Sequence, residues 1–117
     1  MPADDDLSST LALLRQLPAA SRESMVRMYR QSLRDHLAQV ADGLQPGADP
    51  QAACAPAHRI AGAAGMMQDL PLCDIARSME LALREGRPDD ARALGPRLAE
   101  RAQRTLAGLA LAFPGVD

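Results

Sequence analysis

Aromatic residues are almost absent from this chain. It has no tryptophan, one tyrosine and one phenylalanine, so aromatic residues make up 2% of 117 residues although 47% are hydrophobic. A core without rings must be built from Leu, Ala, Met, Ile and Val, and this palette, with many Arg and Glu residues, is typical of helices. The length is enough for one core but not for two. We therefore expect a single all-α domain over residues 1–117.

Basic runs and long apolar runs are missing as well. All 13 basic side chains are arginine, and the formal net charge is −2. Such a chain lacks both the phosphate-tracking charge and the stacking surfaces of nucleic-acid-binding proteins. No apolar stretch approaches the roughly 20 residues that a membrane span needs, and the acidic start MPADDDLSS is unlike a signal peptide. We therefore expect a cytoplasmic protein that binds neither nucleic acid nor membranes.

Cysteine is scarce, and neither cysteine indicates a metal site. Cys54 and Cys73 do not form a Cys-x-x-Cys pair, so we interpret them as free thiols in a reducing compartment. Cys54 and His58 have the spacing of two ligands on one helix, but with Cys73 they still lack a fourth, so we predict no metal. His36 has no nearby partner in the sequence and is assigned no function.

Prolines, glycines and caps divide the chain into five predicted helices. The expected bounds are these: the first from Asp6 or Ser8 to Leu17, the second from near Ser21 to the loop 45–50, the third after Asp49 and Pro50 to 66–68, the fourth after Asp69 and Pro71 to Gly86, and the fifth from Pro88 to before Pro114. Each has an apolar stripe, which in the second comprises Met25, Tyr29, Leu33, Leu37, Val40 and Leu44. Four long amphipathic helices predict an antiparallel up-down four-helix bundle, with the short N-terminal helix across one end. Residues 1–6 and 114–117 are predicted to be frayed.

One histidine lies on an unusually bare side of the third predicted helix. At about 100° per residue, His58 points about 100° away from the apolar face that Ile60 and Ala64 help to form. Small residues surround it within two turns: Cys54, Ala61, Gly62 and Gly65. A lone histidine usually has no special function, and small residues usually serve helix packing. Each glycine costs roughly 1 kcal/mol here, however, and both lie on the histidine's side, which indicates that a large partner approaches His58.

The ordered motifs around His58 match a known pattern. An alanine–histidine pair at 57–58 is followed by Ile60, by Gly62, by small residues at 63–64, by Leu72 and by an aliphatic–glutamate pair at 79–80. A glycine with acidic residues and alanines follows at 86–91. From about residue 25 to 112 the chain resembles the histidine-containing phosphotransfer (HPt) domain of bacterial two-component phosphorelays. Two positions depart from the family: Ala61 replaces its usual lysine and Gln68 its usual glycine.

The resemblance implies a phosphoacceptor at His58 and a carboxylate at Glu80. A neutral imidazole is a competent nucleophile if one nitrogen is free and the other is held by a hydrogen bond, and Glu80 is the candidate for that role. The partners implied are a response-regulator receiver domain and a hybrid sensor histidine kinase, with Mg²⁺ on the receiver and no cofactor on this chain. The predicted docking residues are Arg59, Ala61, Gly62, Gly65, Gln68, Arg77 and Arg84, among which Arg59 is the nearest substitute for the missing lysine.

Three functions are left open by the sequence. The first is a phosphocarrier without kinase activity, which accepts a phosphoryl group on His58 and passes it on. The second is a degenerate module that binds a receiver or kinase without being phosphorylated, which the loss of lysine at Ala61 favours. The third is a phosphatase, for which Gln68 is the only nearby group able to position water. We expect a monomer, because a small bundle leaves no spare apolar face. We also expect a free-standing protein, because the chain has an ordinary start and a natural end near Pro114.

Overall fold

The computed structural model describes residues 7–116. It contains α1 (Ser8–Arg15), α2 (Ala19–Gly43), a short 3₁₀ helix (Pro50–Ala53), α3 (Cys54–Met66), α4 (Leu70–Arg84) and α5 (Pro88–Ala112). The described residues include no strand. The prediction of an all-α fold is confirmed.

The four long helices form a closed ring. α3 packs against α2 and α4, and α5 packs against α4 and α2, while α1 lies against α2. The shared core contains aliphatic side chains from all four helices, including Leu33, Ile60, Met79 and Leu98. A second cluster joins α1, α2 and α5 at one end of the bundle and contains Leu14, Tyr29 and Leu109. This arrangement is the four-helix bundle with an additional N-terminal helix that the hydrophobic pattern predicts.

Helix starts differ from the sequence expectation at three places. α1 follows Leu7 as its N-cap rather than starting behind Ser8, and the alternative cap Asp6 lies outside the described residues. α2 begins at Ala19 instead of near Ser21, because the carbonyl of Pro18 already accepts from the Arg22 amide. Asp49 does accept from the backbone N–H of Gln51, but this cap starts the 3₁₀ helix and not α3 itself.

The buried face of α2 begins with Val26 and not with Met25, the first residue of the predicted apolar stripe. Met25 is 38% exposed, whereas the neighbouring Val26 is fully buried. Val26, Tyr29, Leu33 and Val40 fall on one face at the helical period, and Met25 lies about 100° from Val26 on the helix. The end of α1 is also shorter than expected: the helix stops at Arg15, and its last turn tightens as Leu17 donates to the carbonyl of Leu14.

The C-terminal segment is not frayed as far as the structure describes it. Val116 is buried in the end cluster beside Tyr29 and Leu109. The Arg30 guanidinium donates a hydrogen bond to the carbonyl of Val116. The packing of Val116 does not fit a frayed end at this residue, and residues 1–6 and 117 lie outside the described part.

Asp69 is a buried ion-pair residue and not the predicted helix cap. Its side chain makes no capping bond to α4. Instead, Oδ1 accepts from Arg101 Nη2 at 2.8 Å and from Nε at 3.2 Å, and Oδ2 accepts from the Thr105 hydroxyl. The network joins the α3–α4 turn to α5.

Burial, reinforced by the nearby Asp69 carboxylate, raises the pKa of Tyr29, so its phenol stays protonated.

The turn between α3 and α4 contains a left-handed residue. Gln68 has φ of 62°, and the Asp69 amide donates to the carbonyl of Ala64 across it. A residue with a side chain is strained in this conformation by roughly 1–2 kcal/mol, which glycine avoids. The turn thus uses, at Gln68, the backbone geometry that a glycine would adopt most readily.

Replacing Gln68 with glycine is therefore expected to stabilise the protein. We expect the free energy of unfolding to rise by about 0.5–1 kcal/mol, after the larger unfolded-state entropy of glycine is subtracted. Urea denaturation measures this change. In the matched control Gln39→Gly, on the exposed side of α2, the same substitution is expected to lower stability by roughly 1 kcal/mol. Equal losses in both variants would show that Gln68 is not left-handed in solution.

Candidate functional site

His58 lies on the outer side of α3. The buried face of that helix contains Ala57, Ile60 and Ala64, which pack into the common core. Packing of this face against the core therefore fixes the orientation of α3 about its axis. His58 points away from the buried face, with 65% of its side chain exposed.

Glu80 of α4 holds one nitrogen of the exposed imidazole. The distance from His58 Nδ1 to Glu80 Oε2 is 2.9 Å, and the Glu80 side chain is only 12% exposed. Because an ionised carboxylate only accepts hydrogen bonds, the geometry assigns the proton to Nδ1. No described residue bonds to Nε2. The arrangement leaves Nε2 as a free nitrogen with a lone pair on an open surface.

Arg84 supplies a positive charge beside this pair. Its Nη2 lies 2.6 Å from Glu80 Oε2, the same oxygen that contacts His58. The guanidinium nitrogen is therefore within about 5.5 Å of the imidazole nitrogen. Arg84, which the sequence predicts to be a docking residue, forms an ion pair with Glu80 in the structure. The i, i+4 spacing of Glu80 and Arg84 is the sequence signal for this contact.

The small residues around His58 do not form one open surface. Gly62 is exposed, and a Cβ added to it would meet nothing within 4 Å. Gly65 is half-buried, and its Cβ would lie 3.5 Å from Cys73 Sγ on α4. Ala61 is only 3% exposed, so the prediction that it is a docking residue is wrong. α3 packs against both α2 and α4, which makes its buried face wider than a single stripe.

The remaining predicted docking residues are exposed and spread over a larger area. Arg59, Arg77 and Gln68 make no side-chain hydrogen bond or ion pair with any other residue that the structure describes. Gln68 lies in the turn beyond Met66, the end of α3, which is about 12 Å along the helix axis from His58. Arg59 is the neighbour of His58 in the chain. The structure thus brings together His58, Glu80 and Arg84, and leaves Gln68 apart.

A family comparison identifies the class of domain. The family model described as "Hpt domain" matches residues 24–108, well over half of the chain. The chain belongs to the Hpt domain family. Hpt domains are phosphocarrier modules of two-component signalling rather than kinases, and they interact with receiver domains and kinases. No curated protein and no solved structure matches this chain significantly.

Other reactive groups of this Hpt domain make no hydrogen bond or ion pair with His58 among the described residues, although Cys54 precedes it by one turn of α3. Cys54 is half-buried and Cys73 is buried, and both are free thiols. Within residues 7–116 no group of three or more His, Cys, Asp or Glu side chains is arranged to hold a metal ion. His36 Nδ1 lies 3.1 Å from the Ser32 hydroxyl on α2. Over the same part of the chain, no helix combines the length and apolarity that crossing a membrane requires.

Proposed function

We propose that this Hpt domain is a phosphorelay intermediate that accepts a phosphoryl group on His58 from a receiver aspartate and passes it to another receiver. The observation that supports this most directly is the 2.9 Å contact between His58 Nδ1 and Glu80 on an otherwise exposed imidazole. A nucleophile oriented by a third group and open to solvent is the arrangement that covalent transfer needs. His58 has both properties.

The proposed transfer step is balanced without moving a proton. The lone pair of Nε2 attacks phosphorus, an N–P bond forms, and the bond between phosphorus and the aspartyl oxygen breaks. The aspartate leaves as a carboxylate. Nδ1 keeps its proton, so the imidazole becomes positively charged, and the Glu80 carboxylate stabilises that charge at hydrogen-bond distance. Transfer to the next receiver is the reverse sequence.

In this proposal the receiver contributes most of the transition-state stabilisation. Phosphoryl transfer depends mainly on positioning and on neutralising the phosphoryl oxygens. The Mg²⁺ that does this would belong to the receiver, in the cytoplasm. Arg84 would add positive charge near the imidazole, where the family's lysine is replaced by Ala61. This chain would supply the nucleophile and an open approach beside Gly62.

The direct test is phosphate transfer from a panel of phosphorylated receiver domains. We expect acid-labile label on this chain within minutes, and mass spectrometry of the phosphoramidate is expected to locate it on His58. The alanine at position 61 specifically favours the alternative of an interaction module, because the family's usual lysine, a cation near the phosphoryl group, is missing there. Receivers that bind tightly but never label the chain would establish that alternative. Receiver dephosphorylation that persists in His58→Gln would indicate a phosphatase.

Gly62 offers a test of the approach to His58. No described residue comes within 4 Å of a Cβ at Gly62, so Gly62→Ala is expected to raise the free energy of unfolding by about 1 kcal/mol through helix propensity alone. The larger Gly62→Leu is expected to slow transfer from a receiver at least tenfold, because it obstructs the partner. Stability is measured by denaturation and transfer by single-turnover labelling. The control Gly95→Ala, whose Cβ would lie 3.7 Å from Leu44, is expected to gain similar stability without slower transfer.

Glu80 tests the orientation of the imidazole. Glu80→Gln removes the charge that fixes the proton on Nδ1, and we expect slower transfer, by about 10- to 100-fold, as for other carboxylates that orient histidines. The ¹⁵N chemical shifts of His58 are expected to show a mixture of tautomers. Glu100→Gln, an exposed change on α5, is the control. Unchanged rate and tautomer in Glu80→Gln would remove Glu80 from the mechanism.

A further inference from the structure

An apolar groove separates α2 from α5 on the side of the bundle opposite His58. These two helices meet less extensively than the other neighbouring pairs of the ring. The groove has a volume of about 590 Å³. Its apolar lining includes Leu37, Val40 and Leu44 of α2 and Leu98 and Leu106 of α5. His58 and Glu80 lie on α3 and α4, whereas the groove lies between α2 and α5. The groove and the phosphoacceptor are therefore on opposite sides of the bundle.

The groove is open because small residues stand where larger side chains would fill it. Ala38 and Ala41 line it from α2, and Gly95 and Ala99 line it from α5. Val40 and Leu98 form a fully buried floor, whereas Leu37 and Leu44 remain half-buried at the walls. Half-exposed leucines beside an open trough are apolar surface that a partner can bury.

The charges of the groove are of one sign and lie at its two ends. Arg34 and Arg92 are the only charged side chains among the described residues that line it. Arg34 precedes Leu44 by ten residues, or about 15 Å along α2, and Leu44 contacts the Gly95 region of α5 near Arg92. Arg92 is paired with the exposed Asp89 at 3.1 Å, and Arg34 has no ion pair with a described residue. The groove is thus an apolar trough with a guanidinium at each end.

We propose that this groove binds an acidic amphipathic helix of a partner protein. Leu37, Val40, Ala41 and Leu44 repeat at the spacing i, i+3, i+4, i+7, which suits the ridges of a helix laid between α2 and α5. An apolar face of about three turns fills the trough, and carboxylates about ten residues apart reach Arg34 and Arg92. An extended peptide fits less well, because the apolar walls leave its backbone N–H and C=O groups unpaired.

A second copy of this chain does not match the groove. Symmetric pairing places the same face on both partners, and this face presents arginines without a lining acid. In such a dimer the arginines of one copy would lie near the arginines of the other and repel them. The groove also lies away from His58, so its occupation is independent of the proposed phosphotransfer and leaves the phosphoacceptor accessible.

The test uses the ¹⁵N-labelled full chain and a synthetic helical peptide of about 14 residues. The peptide carries leucines on one face and glutamates about ten residues apart, and its control has lysines in place of both glutamates. We expect amide shifts confined to residues around Ala41 and Ala99, and binding at least tenfold tighter for the glutamate peptide. Ala99→Glu is expected to abolish binding, whereas Ala93→Glu, exposed on α5 but outside the groove, leaves it unchanged.

A charge reversal makes the test specific for the proposed contact. Arg34→Glu is expected to reverse the preference in favour of the lysine peptide, and Arg27→Glu, on α2 but outside the groove, is expected to keep the original preference. Equal binding of both peptides, shifts elsewhere, or no binding would overturn the proposal. Concentration-dependent dimerisation that Ala99→Glu removes would also overturn it, by assigning the groove to a second copy.

Discussion

Replacing His58 with glutamine is expected to abolish phosphoryl acceptance completely. Glutamine keeps a polar side chain of similar reach but has no nucleophilic ring nitrogen, so no N–P bond forms. The Nε2 atom that is lost is the one nitrogen of the site that Glu80 leaves free. The measurement is labelling of the chain by a phosphorylated receiver, followed over minutes. Stability should change by less than about 0.5 kcal/mol, because the side chain is 65% exposed.

The second histidine provides the matched control for this prediction. His36 is half-buried on α2, bonds to the Ser32 hydroxyl and has no carboxylate to orient its ring. His36→Gln is therefore expected to be labelled as fast as the unchanged chain. Label that survives in His58→Gln but disappears in His36→Gln would move the phosphoacceptor to α2. Label retained in both variants would show that His58 is not the sole acceptor.

Local signals predicted the helices well because each acts within a few residues. Asp49 caps the turn that follows it, and Gly86 adopts the positive φ of 71° that ends α4. The Ile60–Ala64 face of α3 is buried as the helical period indicates. Such features depend on sequence neighbours, so a single chain is enough to read them.

The errors concern residues whose environment is set by distant parts of the chain. Ala61 and Gly62 are adjacent, yet one is buried and the other open, because α3 has neighbours on two sides. Asp69 stands where a helix cap is expected, but Arg101, 32 residues further on, binds its carboxylate. No local pattern contains that partner. The α2–α5 groove also depends on how distant helices pack, so local patterns do not predict it. The prediction of a bundle without spare apolar surface is therefore wrong.

Arg84 shows how the site itself departs from its sequence interpretation. The substitution of lysine by Ala61 suggested that the site had lost its cation. The structure places the Arg84 guanidinium on the oxygen of Glu80 that holds His58. A cation one turn along α4 from Glu80 thus stands near the imidazole, and the missing lysine is a weaker argument against phosphotransfer than the sequence alone suggested.

The largest effect on stability is expected for Asp69→Ala. Asp69 is 1% exposed and Arg101 is 6% exposed, so the substitution removes a buried carboxylate that both Arg101 and Thr105 contact. Breaking one partner of a buried ion pair costs about 3–5 kcal/mol, a large part of the stability of a domain of this size. Urea denaturation is expected to show this loss, and Asp74→Ala, an exposed change on α4, is expected to cost less than about 0.5 kcal/mol.

A double replacement separates the buried charge from the shape of the site. In Asp69→Leu combined with Arg101→Met, neither charge remains, and we expect most of the stability lost in Asp69→Ala to return, because apolar pairs of similar volume often replace buried ion pairs at little cost. A single substitution that costs less than about 1 kcal/mol would mean that water or another polar group compensates the charge of Arg101. If only the single variant unfolds easily, the pair serves chiefly to fix the α3–α4 turn against α5. In that case the turn fixes the position of α3 relative to α4. This position keeps His58 Nδ1 and Glu80 Oε2 at 2.9 Å.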